Sequence, residues 1–167
     1  MEEPLVKIHY WLYPVSWIYG MGVYLRNKLF DWGYYQSKSF DVPVVCVGNL
    51  AVGGTGKTPH TEYLIKLLQQ TGANVAMLSR GYKRKSKGYV LATEKTDVKR
   101  IGDEPYQIKI KFPGIRVAVD ENRCHGIEQL MKLDNPKVDV VLLDDAYQHR
   151  HVKAGLNILL TDFHRLF

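Results

Sequence analysis

The stretch VPVVCVGNLAVGGTGKTP, residues 42–59, decides how the rest of the chain is read. Its apolar opening (Val42, Val44, Val45, Cys46, Val47) predicts a buried parallel strand, and TEYLIKLL at 61–68 has helical spacing. Between them a glycine-rich turn runs into Gly56-Lys57-Thr58. Strand, glycine loop, Lys-Thr, helix is the order a phosphate-binding P-loop requires. Glycines at 53, 54 and 56 let successive backbone N–H groups curl around an anion without Cβ clashes. The helix that starts near Thr58 aims its positive end at the same anion. Lys57 then reaches the β- and γ-phosphates, and the Thr58 hydroxyl is placed to ligate magnesium. The loop so predicted comprises Ala51, Val52, Gly53, Gly54, Thr55, Gly56, Lys57 and Thr58. Ala51 stands where the general P-loop pattern has its first glycine, so either the turn forms without positive φ there or Gly48 supplies the bend.

Downstream, apolar runs alternate with helical segments, the pattern of an α/β fold built on a mostly parallel sheet flanked by helices. Residues 74–79 (NVAMLS) predict a second buried strand that exits into Arg80-Gly81-Tyr82, on the functional rim of such a sheet. Residues 83–100 hold seven Lys/Arg, which read as a solvated loop or as a contact for acidic lipid headgroups. In GDEP (102–105), Asp103 is either the N-cap of the next helix, with Pro105 near N1, or a carboxylate placed to take a proton. A strand at 115–119 leaves Asp120-Glu121-Asn122-Arg123 at its exit, before a helix at 126–133. Arg123 is either a cation for phosphate or the transition state, or a surface charge.

The run VDVVLLDD (138–145) has the form of a Walker B strand, in which Asp144 and Asp145 at the tip hold magnesium directly or through water. His149 and His151 lack a third ligand at metal-site spacing and are not assigned a metal. ILLTD (158–162) predicts a last strand. Because the chain stops just beyond it, at Phe167, it reads as the N-terminal portion of something larger.

Residues 1–41 differ from this pattern and form the first of two predicted regions, 1–41 and 42–167. Sixteen residues, 10–25, carry no formal charge and include Trp11 and Trp17. That is short of the ~20 apolar residues that cross a bilayer, and no small-residue cleavage site marks a signal peptide. At 100° per residue Trp11, Val15, Ile18, Gly22, Leu25 and Leu29 share one stripe, flanked by Lys7, Arg26 and Lys28. An amphipathic helix at a membrane surface and one packed on its own domain both satisfy this pattern.

With 46% hydrophobic residues the 167-residue chain is not of disordered composition, and its net charge of +6 favours an anionic partner. Cys46 and Cys124 form neither a disulfide framework nor a metal spacing, in keeping with a reduced cytosolic setting. No nucleic-acid-binding motif is present, and nucleic acid is not expected as a partner.

VGNLAVGGTGKTP (47–59), SRGY (79–82), GDEP (102–105), DENR (120–123) and DDAYQH (144–149), in this order, resemble the tetraacyldisaccharide 4′-kinase family, the lipid A 4′-kinases of Gram-negative bacteria. That family also lacks the first P-loop glycine, and it more often has glycine where this chain has Ala146, a change tolerated at negative φ. The resemblance implies ATP- and Mg2+-dependent phosphorylation of the 4′-hydroxyl of a glucosamine disaccharide lipid. It places a peripheral enzyme on the cytoplasmic face of the inner membrane, with residues 1–35 at the membrane surface. By the same resemblance Asp103 is the general base, Arg123 stabilises charge on the transferring phosphoryl group, and Gln148 lies near the nucleotide. The family is about twice this length, with a second lobe that contributes a catalytic histidine; His149 and His151 do not replace it. A membrane-docked P-loop ATPase or GTPase switch is the alternative, although no guanine-specificity element is visible.

Overall fold

The computed structural model describes residues 10–49, 56–147 and 149–161. Two compact units make up the chain, Met1–Gln36 and Ser37–Phe167. In chain order the elements are α1 (Tyr13–Asp31), β1 (Val44–Asn49), α2 (Lys57–Gln70), β2 (Val75–Ser79), β3 (Val90–Leu91), α3 (Val98–Ile101), α4 (Asp103–Lys111), β4 (Arg116–Val119), α5 (Arg123–Met131), β5 (Val140–Asp144) and β6 (Leu156–Leu160).

In the first unit α1 runs through Gly20 and Gly22 without a break and carries Pro14 in its first turn, where a missing N–H costs nothing. Its exposed apolar side chains are not confined to the expected stripe. Tyr13, Trp17 and Tyr24 lie on the opposite side of the helix, with Trp17 79% exposed. The helix is therefore apolar around most of its circumference rather than amphipathic in the one-stripe sense. Among the described residues no helix is long and apolar enough to cross a membrane.

In the second unit six strands form one sheet in the order β3-β4-β2-β5-β1-β6. All neighbours are parallel except β3, which runs antiparallel to β4. The inner strands are buried on both faces, so period-2 alternation sorts their side chains into two cores rather than into core and solvent. Ala76, Leu78, Ala118, Val141 and Leu143 pack with Ile127 and Leu130 of α5 on one face. Val75, Met77, Val117, Val119, Val140 and Leu142 pack with Ile65 of α2, Ile101 of α3 and Ile108 of α4 on the other. Helices thus flank both faces of the sheet. Gly126 sets the distance of α5, since a Cβ there would lie 2.7 Å from a Leu78 methyl.

The topology builds the site. From β1 the chain moves to β2 and β4, then returns to insert β5 between β1 and β2. That reversal puts the crevice at the carboxyl ends of β1 and β5. Gly48 is not the bend considered above. It lies inside β1 without positive φ, and its lack of a side chain admits Tyr147, whose Cβ would stand 2.5 Å from a Cβ on residue 48.

Candidate active site

Val47 of β1 is in register with Asp144 of β5, so the strand that feeds the glycine loop and the strand that ends in two aspartates leave the sheet side by side. Asp145 N–H donates to Val47 O (3.0 Å), which locks the two exits together. Gly56 takes φ +79° as the N-cap of α2, a conformation that disfavours other residues. Lys57 and Thr58 then open the helix. Ala51, Val52, Gly53, Gly54, Thr55 and Gln148 lie outside the described residues.

Across the crevice Lys57 Nζ sits 2.8 Å from Asp145 Oδ1. Asp145 has φ +51°, a left-handed backbone that turns its carboxylate out of the strand and toward the lysine. Ala146, by contrast, has no positive φ and is buried, as its methyl group allows. Asp144 is 6% exposed. Burial, with Glu104 and Asp145 as like-charged neighbours, pushes its carboxyl up to about 6 against the pull of Lys57 and Arg123. Glu104 was no part of the expected site; its place beside Asp103 was the only hint.

Asp103 is not an N-cap. Gly102, at φ +90°, occupies that position, makes no side-chain cap and leaves Asp103 and Glu104 in the first turn of α4. Pro105 is accordingly the third helical residue rather than the first. Side-chain capping belongs instead to Asp97, which accepts from Arg100 N at 3.0 Å at the start of α3. Gly102 abuts the SRGY turn, because a Cβ on it would lie 2.8 Å from Tyr82 O. Asp103 is thus an exposed carboxylate next to the turn that follows β2.

Arg123 is not a surface charge. It is 3% exposed, and its Nη1 donates to Asp120 O (2.5 Å) while Nη2 reaches toward Asp144 O (3.5 Å). Its Nε is buried without a partner. Burial lowers its pKa, Asp144 raises it and Arg80 lowers it again, so two arginines and the Asp144 carboxylate share one neighbourhood. Arg123 borders a cavity of about 500 Å3 lined also by Glu121, Asn122, Cys124, His149 and His151. The turn beneath is braced by buried Asp120, which accepts from Asn122 N (2.9 Å) and pairs with His125 Nδ1 (2.7 Å). Asn122 in turn caps α5 by accepting from His125 N.

A family model, LpxK or tetraacyldisaccharide-1-P 4′-kinase, matches residues 8–167. The chain belongs to this family. It is 71% identical over its whole length to the tetraacyldisaccharide 4′-kinase of Bacteroides fragilis strain YCH46, of which it covers 44%. It is 53% identical over 167 residues to that of Porphyromonas gingivalis strain W83, covering 46%. The crystal structure of the apo form of LpxK from Aquifex aeolicus, in complex with ATP, superposes with a TM-score of 0.79 at 42% identity, over 89% of this chain and 47% of that one. The chain therefore spans less than half the length of the family members it matches.

Asp144, Asp145 and the Thr58 hydroxyl are hard oxygen donors of the kind magnesium takes, and Glu104 adds its charge to the field of Asp144. Burial is the largest cause of the raised Asp144 pKa, and Glu104 and Asp145 add negative charge that a divalent cation would offset, so these residues fit magnesium. Among the described residues no group of three or more His, Cys, Asp and Glu side chains gathers to hold a metal.

Proposed function

We propose that this chain is the nucleotide-binding and phosphoryl-transferring portion of an ATP-dependent kinase that acts on the 4′-hydroxyl of a tetraacylated glucosamine disaccharide 1-phosphate. The observation that carries the reading is the meeting of Lys57 with Asp145 beside buried Asp144, within a chain that belongs to the 4′-kinase family. Lys57 exchanges Asp145 for β/γ-phosphate oxygens when nucleotide enters. Thr58 and Asp144 would hold a magnesium ion, with Asp145 and Glu104 as further carboxylates nearby, and the ion would supply positive charge against the phosphates. Asp103, free of capping duty, accepts the proton as the 4′-oxygen forms its bond to the γ-phosphorus and the bond to the β,γ-bridging oxygen breaks. Arg123 acts from beneath the rim, adding positive potential where phosphoryl charge develops.

The acyl chains of such a substrate remain in a bilayer. The exposed Trp and Tyr side chains around α1, flanked by Arg26 and Lys28, support residues 1–35 as a peripheral contact with the cytoplasmic face of the inner membrane.

The test is phosphate transfer from γ-labelled ATP to a lipid A disaccharide precursor in mixed micelles. It compares this chain, its Asp103→Ala variant, and a form extended to the length of the relatives. Transfer by the extended form that collapses with Asp103→Ala is expected. Binding of MgATP by the extended form without any labelled lipid would overturn the kinase assignment and leave a P-loop switch.

A further inference from the structure

The segment after β2 contains more structure than a solvated loop. Lys85 N–H donates to Lys99 O (2.8 Å) and Ser86 Oγ to Arg100 O, which ties two basic runs, distant in sequence, into one surface. Arg84 turns inward. Its side chain is 2% exposed, with Nη2 2.6 Å from Glu121 Oε1 and 2.8 Å from Gly88 O. Of the six remaining cations, Lys83, Lys85, Lys87, Lys99 and Arg100 lie in these two runs and are exposed, as is Lys95 between them. None of them forms a salt bridge among the described residues. Two carboxylates of this fabric are engaged, Asp97 as the cap of α3 and Glu121 with Arg84, while Glu94 and Asp103 are exposed.

We infer that this patch is an electrostatic docking surface for an anionic lipid bilayer, separate from α1. Four lysine ammoniums spread over a surface match the diffuse negative potential of phosphate headgroups. A single-stranded nucleic acid would instead call for stacking platforms. The patch has one aromatic, Tyr82, and the Lys83 ammonium stands 5.3 Å over its ring. Lys83 holds φ +58°, a left-handed conformation uncommon for lysine, and strain of this kind gathers at binding surfaces. Tyr82 is 74% exposed and its carbonyl abuts Gly102, so docking through the patch turns the edge that carries Asp103 toward the bilayer. The inference deepens the membrane side of the proposed function and rests on it.

Co-sedimentation of the full chain with phosphatidylcholine vesicles, with and without phosphatidylglycerol, tests it. Removing each lysine is expected to cost roughly fivefold in vesicle affinity. Neutralising three lysines therefore costs on the order of 100-fold on anionic vesicles, and the combined Lys85→Glu, Lys87→Glu and Lys99→Glu variant, which reverses each charge, loses more than that. Its binding to neutral vesicles and to MgATP stays unchanged. The Lys→Gln counterpart shows an intermediate loss, and an unshifted melting temperature in either variant excludes misfolding. Equal binding of wild type to both vesicle types, or anionic binding that survives both triple variants, overturns the inference. Displacement from anionic vesicles by stoichiometric RNA also overturns it, in favour of nucleic acid. MgATP binding and phosphate transfer are scored separately, so failure of the docking surface and failure of the kinase reading are distinguishable.

Discussion

Lys57 of the P-loop helix and Asp145 of the β5 exit stand 2.8 Å apart, and Asp145 adopts a left-handed backbone in doing so. The pair is largely open to solvent on the aspartate side, so its attraction contributes under about 1 kcal/mol to stability. Its significance is positional: it holds the lysine over the crevice. Asp145→Asn, which tolerates positive φ, is expected to leave the thermal midpoint almost unchanged. Asp145→Val is expected to cost ~1–3 kcal/mol from backbone strain alone. Equal midpoints for the two variants in denaturant melts would contradict the backbone account.

Asp144 carries a pH signature. Its folded-state pKa of about 6 lies above the ordinary 3.8, so the folded protein holds a proton that the unfolded chain releases. The resulting stabilisation is complete below the ordinary value and is lost as pH rises through about 6. Without divalent cation, Asp144→Asn should therefore raise stability above pH 6, by up to ~3 kcal/mol, and flatten its pH dependence. The same variant should lose magnesium-dependent nucleotide binding. In the wild type that binding should weaken below about pH 6, where protons compete with the metal. Calorimetric titration of MgATP and chelator-containing melts at several pH values check both.

The capping role that sequence position offers Asp103 is filled at α3 by Asp97, and α4 has Gly102 at its cap. Asp97→Ala should cost about 1 kcal/mol by removing the α3 cap, while the binding of MgATP persists. Asp103→Ala should change stability by no more than about 0.5 kcal/mol and abolish phosphate transfer in the extended protein. A destabilisation by Asp103→Ala that matched the Asp97 variant would restore the capping role.

Gly48 lies inside a strand, but Tyr147 fills the space a side chain would need. Gly48→Ala should push the segment after Asp145 off β1. We expect a destabilisation of ~1–3 kcal/mol, together with weaker nucleotide binding, because Asp144 and Asp145 immediately precede that segment. Unchanged nucleotide affinity would show that the carboxylates are held independently of Tyr147.

The sequence by itself determined the local elements of this protein. Contiguous apolar runs such as Val140–Asp144 have no polar face to expose and must lie inside a parallel sheet. The glycines and the Lys-Thr pair after β1 carry the chemistry of their own backbone and side chains wherever they are placed. Strand identities, the parallel sheet, the P-loop helix and the family motifs were therefore legible from short-range pattern. Tertiary structure alone decided which ends meet. Insertion of β5 between β1 and β2 depends on packing across the whole sheet, and it brings Glu104 and Arg80 into the field of Asp144 and Arg123. Whether Asp103 or Gly102 caps α4 was settled by the contact of Gly102 with Tyr82, a partner twenty residues away in the chain. The inward turn of Arg84 depends in the same way on Glu121. Burial and charge proximity are sums over neighbours that the chain gathers only on folding, and so the one-stripe reading of α1 and the surface reading of Arg123 gave way.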